Sequence, residues 1–225
     1  MDPYIIAYDL GTSGSKASLY SPKGQCLSSA FIPYKTYYPH NGWHEQKPMD
    51  WWNAIVESTR QLLNTGIVKP HEIMAVAISG HSLGAVPIDN EGKLLREFTP
   101  IWSDTRAKKQ VEMFFQNVDI NEWYLRTGNG FPPACYTIFK VMWYRENEPD
   151  MYHKIYKILG TKDFINFMMT GKIMTDYSYA SGCGAYDLTN WDYYMKYIEA
   201  AGLRKDMFPD IVPSTAVVGN LTEES

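Results

Sequence analysis

Apolar residues open the chain in a run from Tyr4 to Tyr8 that stops at Asp9, and the pattern that follows predicts a three-stranded antiparallel meander. Tyr4 to Asp9 reads as a buried strand, Gly11-Thr12-Ser13-Gly14 as a tight turn and Lys16 to Tyr20 as the returning strand. Ser21-Pro22-Lys23-Gly24 supplies the next turn and Gln25 to Pro33 a third strand. The period then lengthens. Asp50, a good N-cap residue, precedes Trp51, Trp52, Ile55, Val56, Leu62 and Leu63 at helical spacing, and Gly66 lies just past the end. This predicts one amphipathic helix of about four turns. Ile73 to Ser79 is an unbroken apolar run, as in a strand covered on both faces, and Ala85 to Asp89 with the turn Asn90-Glu91-Gly92 reads as another strand.

From Thr105 onward the pattern is mainly helical, with helices expected around Arg106 to Phe115, Ile120 to Thr127, Tyr136 to Glu146, Tyr152 to Ile155 and Asp163 to Thr170. The tail from Pro209 through Pro213 to Ser225 is rich in turn residues and short on periodicity. A mixed sheet, antiparallel meander plus parallel strands, flanked by helices is an α/β arrangement. No internal repeat or low-complexity tract is visible.

Composition narrows the function classes. In 225 residues, 45% hydrophobic, there is enough apolar surface for a large core, which excludes disorder and fibrous repeats. Lys+Arg at 21 against Asp+Glu at 25 gives a net charge of -4, without the basic excess a nucleic-acid partner would need. Cys26, Cys135 and Cys183 form neither an even disulfide set nor a CxxC pair, which fits a reducing cytoplasm. The start Met1-Asp2-Pro3-Tyr4 does not read as an export signal, and no apolar run approaches the roughly 18 residues of a membrane span. The 17 Tyr and 7 Trp leave a homodimer open, since they serve an interface as readily as a core.

The strongest chemical signal is Asp9-Leu10-Gly11-Thr12-Ser13-Gly14-Ser15-Lys16, at the end of a buried strand. Small residues let backbone N–H groups approach an anion, the Thr12 and Ser13 hydroxyls add donors, and Lys16 adds positive charge. A carboxylate beside such a cradle suggests a hard cation such as Mg²⁺ between Asp9 and the phosphate. The segment is neither a Walker A loop nor a dinucleotide fingerprint, and the plain alternative is a Gly-rich hairpin capped by Asp9. Two further clusters stand at predicted strand ends or helix starts. In Ser79-Gly80-His81-Ser82-Leu83-Gly84, His81 and Ser82 could hold hydroxyl groups, unless His81 is a satisfied surface histidine. In Trp102-Ser103-Asp104-Thr105-Arg106, an indole beside a carboxylate could stack on a sugar and accept its hydroxyl hydrogens. The alternative there is a core Trp102 and an Asp104 that caps the helix starting near Thr105. His40 and His44 have a zinc-like spacing, but Pro39, Asn41 and Gly42 prevent the helix that would align them. There is no GxSxG, and Cys135 has no assigned base.

Together these residues resemble the amino-terminal domain of the FGGY carbohydrate kinases, most closely the xylulokinase-like branch. The matching pieces run in the family's order: Asp9 to Lys16, Gly42-Trp43-His44-Glu45-Gln46 with Trp51-Trp52, Ile78-Ser79-Gly80 through Gly84 with Asp89, and Trp102 to Ala107. Thr127-Gly128-Asn129, Lys162-Asp163, Thr170-Gly171 and Thr175-Asp176-Tyr177-Ser178 through Gly182 follow. The resemblance covers nearly the whole chain and implies an actin-like, ribonuclease-H-like fold. It implies transfer of the γ-phosphoryl group of ATP, with Mg²⁺, to a hydroxyl of a ketopentose (xylulose-like) or related sugar or polyol. It also implies that Asp9 organises the metal and phosphate, that Gly11, Thr12, Ser13 and Lys16 approach the phosphates, and that His81, Ser82, Leu83, Trp102 and Asp104 line the sugar pocket.

Two departures stand out. Where xylulokinases carry Met-His-Gly and glycerol kinases Arg-Glu, this chain has Ser82-Leu83-Gly84, which leaves the substrate open. His81, where relatives often have Gln, is a substitute for that hydrogen bonding. The family's base aspartate, in a Gly-Gly-Gly-Asp-like segment, is expected beyond Ser225. Residues 1–225 are thus expected to be the sugar-binding amino-terminal domain, without the carboxy-terminal nucleotide-binding domain and without kinase activity of their own. The competing expectations are a non-catalytic sugar-binding or regulatory module and an actin-like ATPase.

Overall fold

A computed structural model describes residues 3–130 and 132–223; the first two residues of the chain and the last two of its turn-rich tail lie outside the described residues. Strands β1 (Tyr4–Leu10), β2 (Gly14–Tyr20) and β3 (Cys26–Pro33) form the expected antiparallel meander. A short strand β4 (Glu45–Gln46) leads into helix α1 (Pro48–Asn64). The helix begins two residues before the expected cap. Pro48 takes the first helical position after Lys47, where its missing N–H and fixed φ carry no penalty. Asp50 falls inside the first turn, where its charge complements the helix dipole. Strand β5 (Ile73–Gly80) then pairs in parallel with β1 and completes a sheet of order β3-β2-β1-β5.

The remaining chain comprises β6 (Val86–Ile88), β7 (Thr99–Pro100), α2 (Lys108–Phe115), α3 (Ile120–Thr127), α4 (Thr137–Asn147), α5 (Pro149–Tyr152), β8 (Lys157–Leu159) and α6 (Thr161–Thr170). It ends in β9 (Met174–Asp176), α7 (Tyr177–Ala180), β10 (Tyr186–Asp187), β11 (Asp192–Tyr193), α8 (Met195–Ala200) and β12 (Asp210–Val212). Three helix expectations shift. The one placed at Tyr152 to Ile155 lies earlier, because Pro149 sets the start of α5. The α6 helix opens at Thr161, with Asp163 reaching back to the Gly160 N–H at 3.3 Å. The α2 helix opens at Lys108 rather than Thr105. The tail is not all turn: β12 pairs in parallel with β9, a long-range partnership no local period reveals.

Two cores result. Helices α1 and α6 cover one face of the main sheet around Ile6, Tyr8, Leu10, Leu19, Trp51 and Phe164. A second core gathers Phe114, Trp123, Phe139, Tyr144, Tyr186 and Ile198 around α4, whose residues 137–144 are buried on every side. The other face of the main sheet is open. Ile5, Asp9, Lys16, Ala75, Ala77 and Ser79 are exposed there, so β5 is not covered on both faces as its apolar run suggested. Small alanines satisfy an apolar count without needing burial, and this is why the run misled.

Candidate functional site

Asp9 stands at the carboxyl end of β1, directly opposite Lys16 in β2 and Ser79 in β5, so three polar side chains form a row on the open face. The turn between β1 and β2 closes with the Gly11 N–H donating to the Gly14 carbonyl at 3.0 Å, and leaves Thr12 and Ser13 exposed at its tip. Glycine is required at position 14: a Cβ there would lie 2.4 Å from the Phe31 ring and 2.7 Å from the Ile32 carbonyl oxygen. The loop is braced from below. The Tyr34 hydroxyl donates to the Gly11 carbonyl at 2.5 Å, and burial together with the Asp9 charge pushes that phenol above its ordinary pKa. The Gln46 amide donates to the Thr12 carbonyl at 2.7 Å and to the Thr36 hydroxyl at 2.8 Å, while its oxygen accepts the Trp51 indole N–H at 2.8 Å.

Trp102 meets this loop directly. Its indole N–H donates to the Thr12 hydroxyl oxygen at 3.0 Å, and the ring, 40% exposed, is not a core residue. Accepting that bond leaves the Thr12 O–H free to donate outward. Next to the loop, β5 ends in Gly80, and the His81 N–H donates to the Leu10 carbonyl at 3.0 Å. The His81 ring lies edge-on to Trp51 at 5.5 Å between centroids, with Nδ1 3.2 Å from the Thr161 hydroxyl. Its Nε2 is buried without a partner among the described residues, so it is not a satisfied histidine. Burial, with a smaller push from the Lys140 ammonium, lowers this imidazole to about 4 and keeps it neutral. Ser82 is half-exposed, but Leu83 turns its side chain towards Gly182 and the second core. The Leu83 backbone is held at φ 62, a conformation unusual for a side chain of this size.

Asp104 is turned inward. It does not cap α2, whose cap position is Ala107, and its carboxylate is fully buried. One oxygen accepts the Arg106 N–H at 3.0 Å and Nε at 2.9 Å; the other accepts the His44 N–H at 2.7 Å and Arg106 Nη2 at 2.8 Å. Arg106 also reaches Glu45 at 2.7 Å and stacks over Trp43 at 4.0 Å, and Arg96 joins Glu45 at 3.1 Å. A buried carboxylate is tolerable only with such pairing. Asp104 is therefore buried and paired, whereas Trp102, two residues earlier, is exposed. His44 has its Nδ1 2.7 Å from the Ser103 hydroxyl and its ring edge-on to Tyr38; His40 packs on Trp43.

The FGGY family of carbohydrate kinases, N-terminal domain, matches residues 4–225. The chain belongs to this family. A xylulose kinase of Staphylococcus xylosus is 30% identical over 221 residues, covering 98% of this chain and 45% of that protein. The crystal structure of gluconate kinase from Lactobacillus acidophilus superposes with a TM-score of 0.91 at 25% identity, over 100% of this chain and 44% of the other. The ligand-bound xylulose kinase from the same species gives 0.90 at 25% identity, over 99% and 44%. The chain thus spans less than half the length of these relatives, and it has the actin-like, ribonuclease-H-like α/β fold.

Within this FGGY domain, Gln46 and Tyr34 carry no site motif of their own in the sequence, and His44 stands out there only for a zinc-like spacing with His40, although Gln46 and His44 sit in the Gly42-Trp43-His44-Glu45-Gln46 stretch. A polar pair directly before an apolar helix was the available signal. The donor set around Asp9 suits Mg²⁺, which takes one or two carboxylates, keeps several waters and binds phosphate oxygens. Among the described residues no group of three or more His, Cys, Asp or Glu could hold a metal by itself, so a cation at Asp9 would depend on phosphate oxygens. No described helix is long and apolar enough to cross a membrane.

Proposed function

We propose that this chain is the sugar-binding, amino-terminal half of an ATP-dependent carbohydrate kinase that transfers the γ-phosphoryl group to a hydroxyl of a ketopentose such as xylulose, or of a related sugar or polyol. One observation carries the reading. The Trp102 indole, an apolar platform suited to a sugar face, is hydrogen-bonded to Thr12 at the tip of the Gly-rich loop beside Asp9. A hydroxyl lying on that indole sits at the edge of an anion cradle.

The residues divide the work. Gly11, Thr12 and Ser13 present backbone and hydroxyl donors to phosphate oxygens, and Lys16 adds positive charge on the same face as Asp9. Asp9 would hold Mg²⁺, which when bound would neutralise phosphate charge. Trp102 positions the sugar, Ser82 supplies a hydrogen bond to its hydroxyls, and the buried, unpartnered His81 Nε2 adds another once the sugar's approach uncovers it. Asp104 acts indirectly, through the His44 amide, and Leu83 acts through its backbone. Because the transferred group arrives activated, positioning and charge stabilisation are the protein's main tasks.

The test is ADP release by the full-length protein over a panel of pentuloses, hexuloses and polyols, with gluconate included. ATP turnover that needs one of these compounds is expected. Sugar-independent ATP hydrolysis would favour an actin-like ATPase, and sugar binding without turnover a non-catalytic module. His81→Ala should raise the KM for the sugar by about tenfold, the scale of one hydrogen bond lost at a buried polar group; an unchanged KM would remove His81 from the pocket.

A further inference from the structure

Helix α4 carries three polar side chains at positions 137, 140 and 144, spaced to share one helix face. All three donate to consecutive carbonyls of the segment that follows His81 and Ser82. Thr137 Oγ1 reaches the Gly84 carbonyl at 3.2 Å, Lys140 Nζ the Leu83 carbonyl at 2.7 Å, and the Tyr144 hydroxyl the Ala85 carbonyl at 2.8 Å. Lys140 does more than the others. Its ammonium also donates to the Ile101 carbonyl at 2.7 Å, immediately before Trp102, and the side chain is entirely buried. Burying an ammonium is expensive unless its hydrogens are taken. Here two of the three are taken, by the two segments that frame the proposed sugar pocket, and burial still lowers the group to about 7.

We propose that Lys140 is a positioning residue that locks the 81–84 segment and the 101–104 segment to each other, so that Ser82, His81 and Trp102 are held at one fixed spacing for the sugar. The left-handed backbone of Leu83 is consistent with such a clamp, since a strained non-glycine conformation persists where its surroundings over-determine it. Lys140 reaches across from the second core to a loop that leaves the main sheet, so it couples the two cores at the site. It does not touch the reacting groups; its effect passes through the two carbonyls. The pocket assignment rests on the function proposed above, while the clamp itself does not.

The test compares Lys140→Met, which keeps the stem and removes the donors, with Tyr144→Phe, which removes one of two donors to the Ala85 carbonyl, the Thr99 hydroxyl being the other. In the full-length protein, Lys140→Met is expected to raise the sugar KM at least about tenfold with the ATP KM within about twofold, and Tyr144→Phe to leave the sugar KM within about twofold. Amide hydrogen exchange read on the same proteins without sugar should rise in residues 81–84 and 101–104 together in Lys140→Met, and not in β2. An unchanged sugar KM, an equal effect of Tyr144→Phe, or exchange that rises throughout or in neither segment would overturn the proposal. If Lys140→Met gives no cooperative unfolding transition, Lys140→Gln is read by the same measures. If neither variant folds, the lysine serves global stability and the proposal is wrong. If the wild type phosphorylates no sugar, the functional reading fails, and the exchange pattern alone decides whether the clamp exists.

Discussion

Trp102 and Thr12 lie 90 residues apart in sequence, yet one hydrogen bond joins them where the proposed sugar and phosphate sites meet. Trp102→Phe keeps an aromatic face, though a smaller one, and deletes the N–H, a neutral bond worth about 0.5–1.5 kcal/mol. It should lower kcat/KM by about two- to tenfold, chiefly through kcat, in steady-state assays; a loss expressed only in the sugar KM would mean the bond plays no part at the phosphate. His81 makes a pH prediction. Its folded pKa of about 4 lies below the ordinary 6.5, so between those values the unfolded chain binds the extra proton and stability rises with pH. Acidification across that window should therefore destabilise the wild type more than His81→Gln, as read from urea midpoints. Residue types alone pointed to Thr12, His81 and Trp102, because hydroxyl, imidazole and indole carry obvious chemistry. They could not show that Asp104 is spent on Arg106, since two residues of separation before a helical pattern read as a cap, and only the fold turns that pair inward.

At the scale of elements, the β1–β2 turn depends on what packs beneath it. Gly14→Ala would press a methyl against the Phe31 ring and the Ile32 carbonyl, and the carbonyl belongs to a paired strand that cannot yield. A loss of about 1–3 kcal/mol in chemical denaturation is expected. Gln46→Ala removes two donors and the acceptor for Trp51 in a fully buried setting. It should cost roughly 2–4 kcal/mol and raise the ATP KM, because the Thr12 carbonyl loses its support. The meander, α1 and, in the second core, α2, α3 and α4 were legible from periodicity, whereas the short helices α7 and α8 were not. The strands β4, β7, β8, β9 and β12 were not: each is two or three residues long and defined only by a distant partner.

The whole molecule consists of two cores joined at one seam, with α4 and its lysine on one side and the sheet that carries Asp9 on the other. Order and spacing of the motifs make the FGGY assignment readable from the sequence, and the family match over residues 4–225 supports it. The spacing of the pocket walls was not readable, because it is set by side chains such as Lys140 and Gln46 that carry no motif of their own in a helix or before one. The central claim is that the Asp9 loop and the Trp102 wall form one phosphoryl-transfer site for a sugar. It is tested most directly by sugar-dependent ADP release from the full-length protein and its Asp9→Asn variant, with sugar affinity measured by calorimetry. The account predicts that Asp9→Asn lowers turnover at least about a hundredfold, the scale of losing one preorganised electrostatic group, while sugar affinity stays within about twofold. Turnover near the wild-type rate in Asp9→Asn, or sugar affinity lost together with activity, would contradict it.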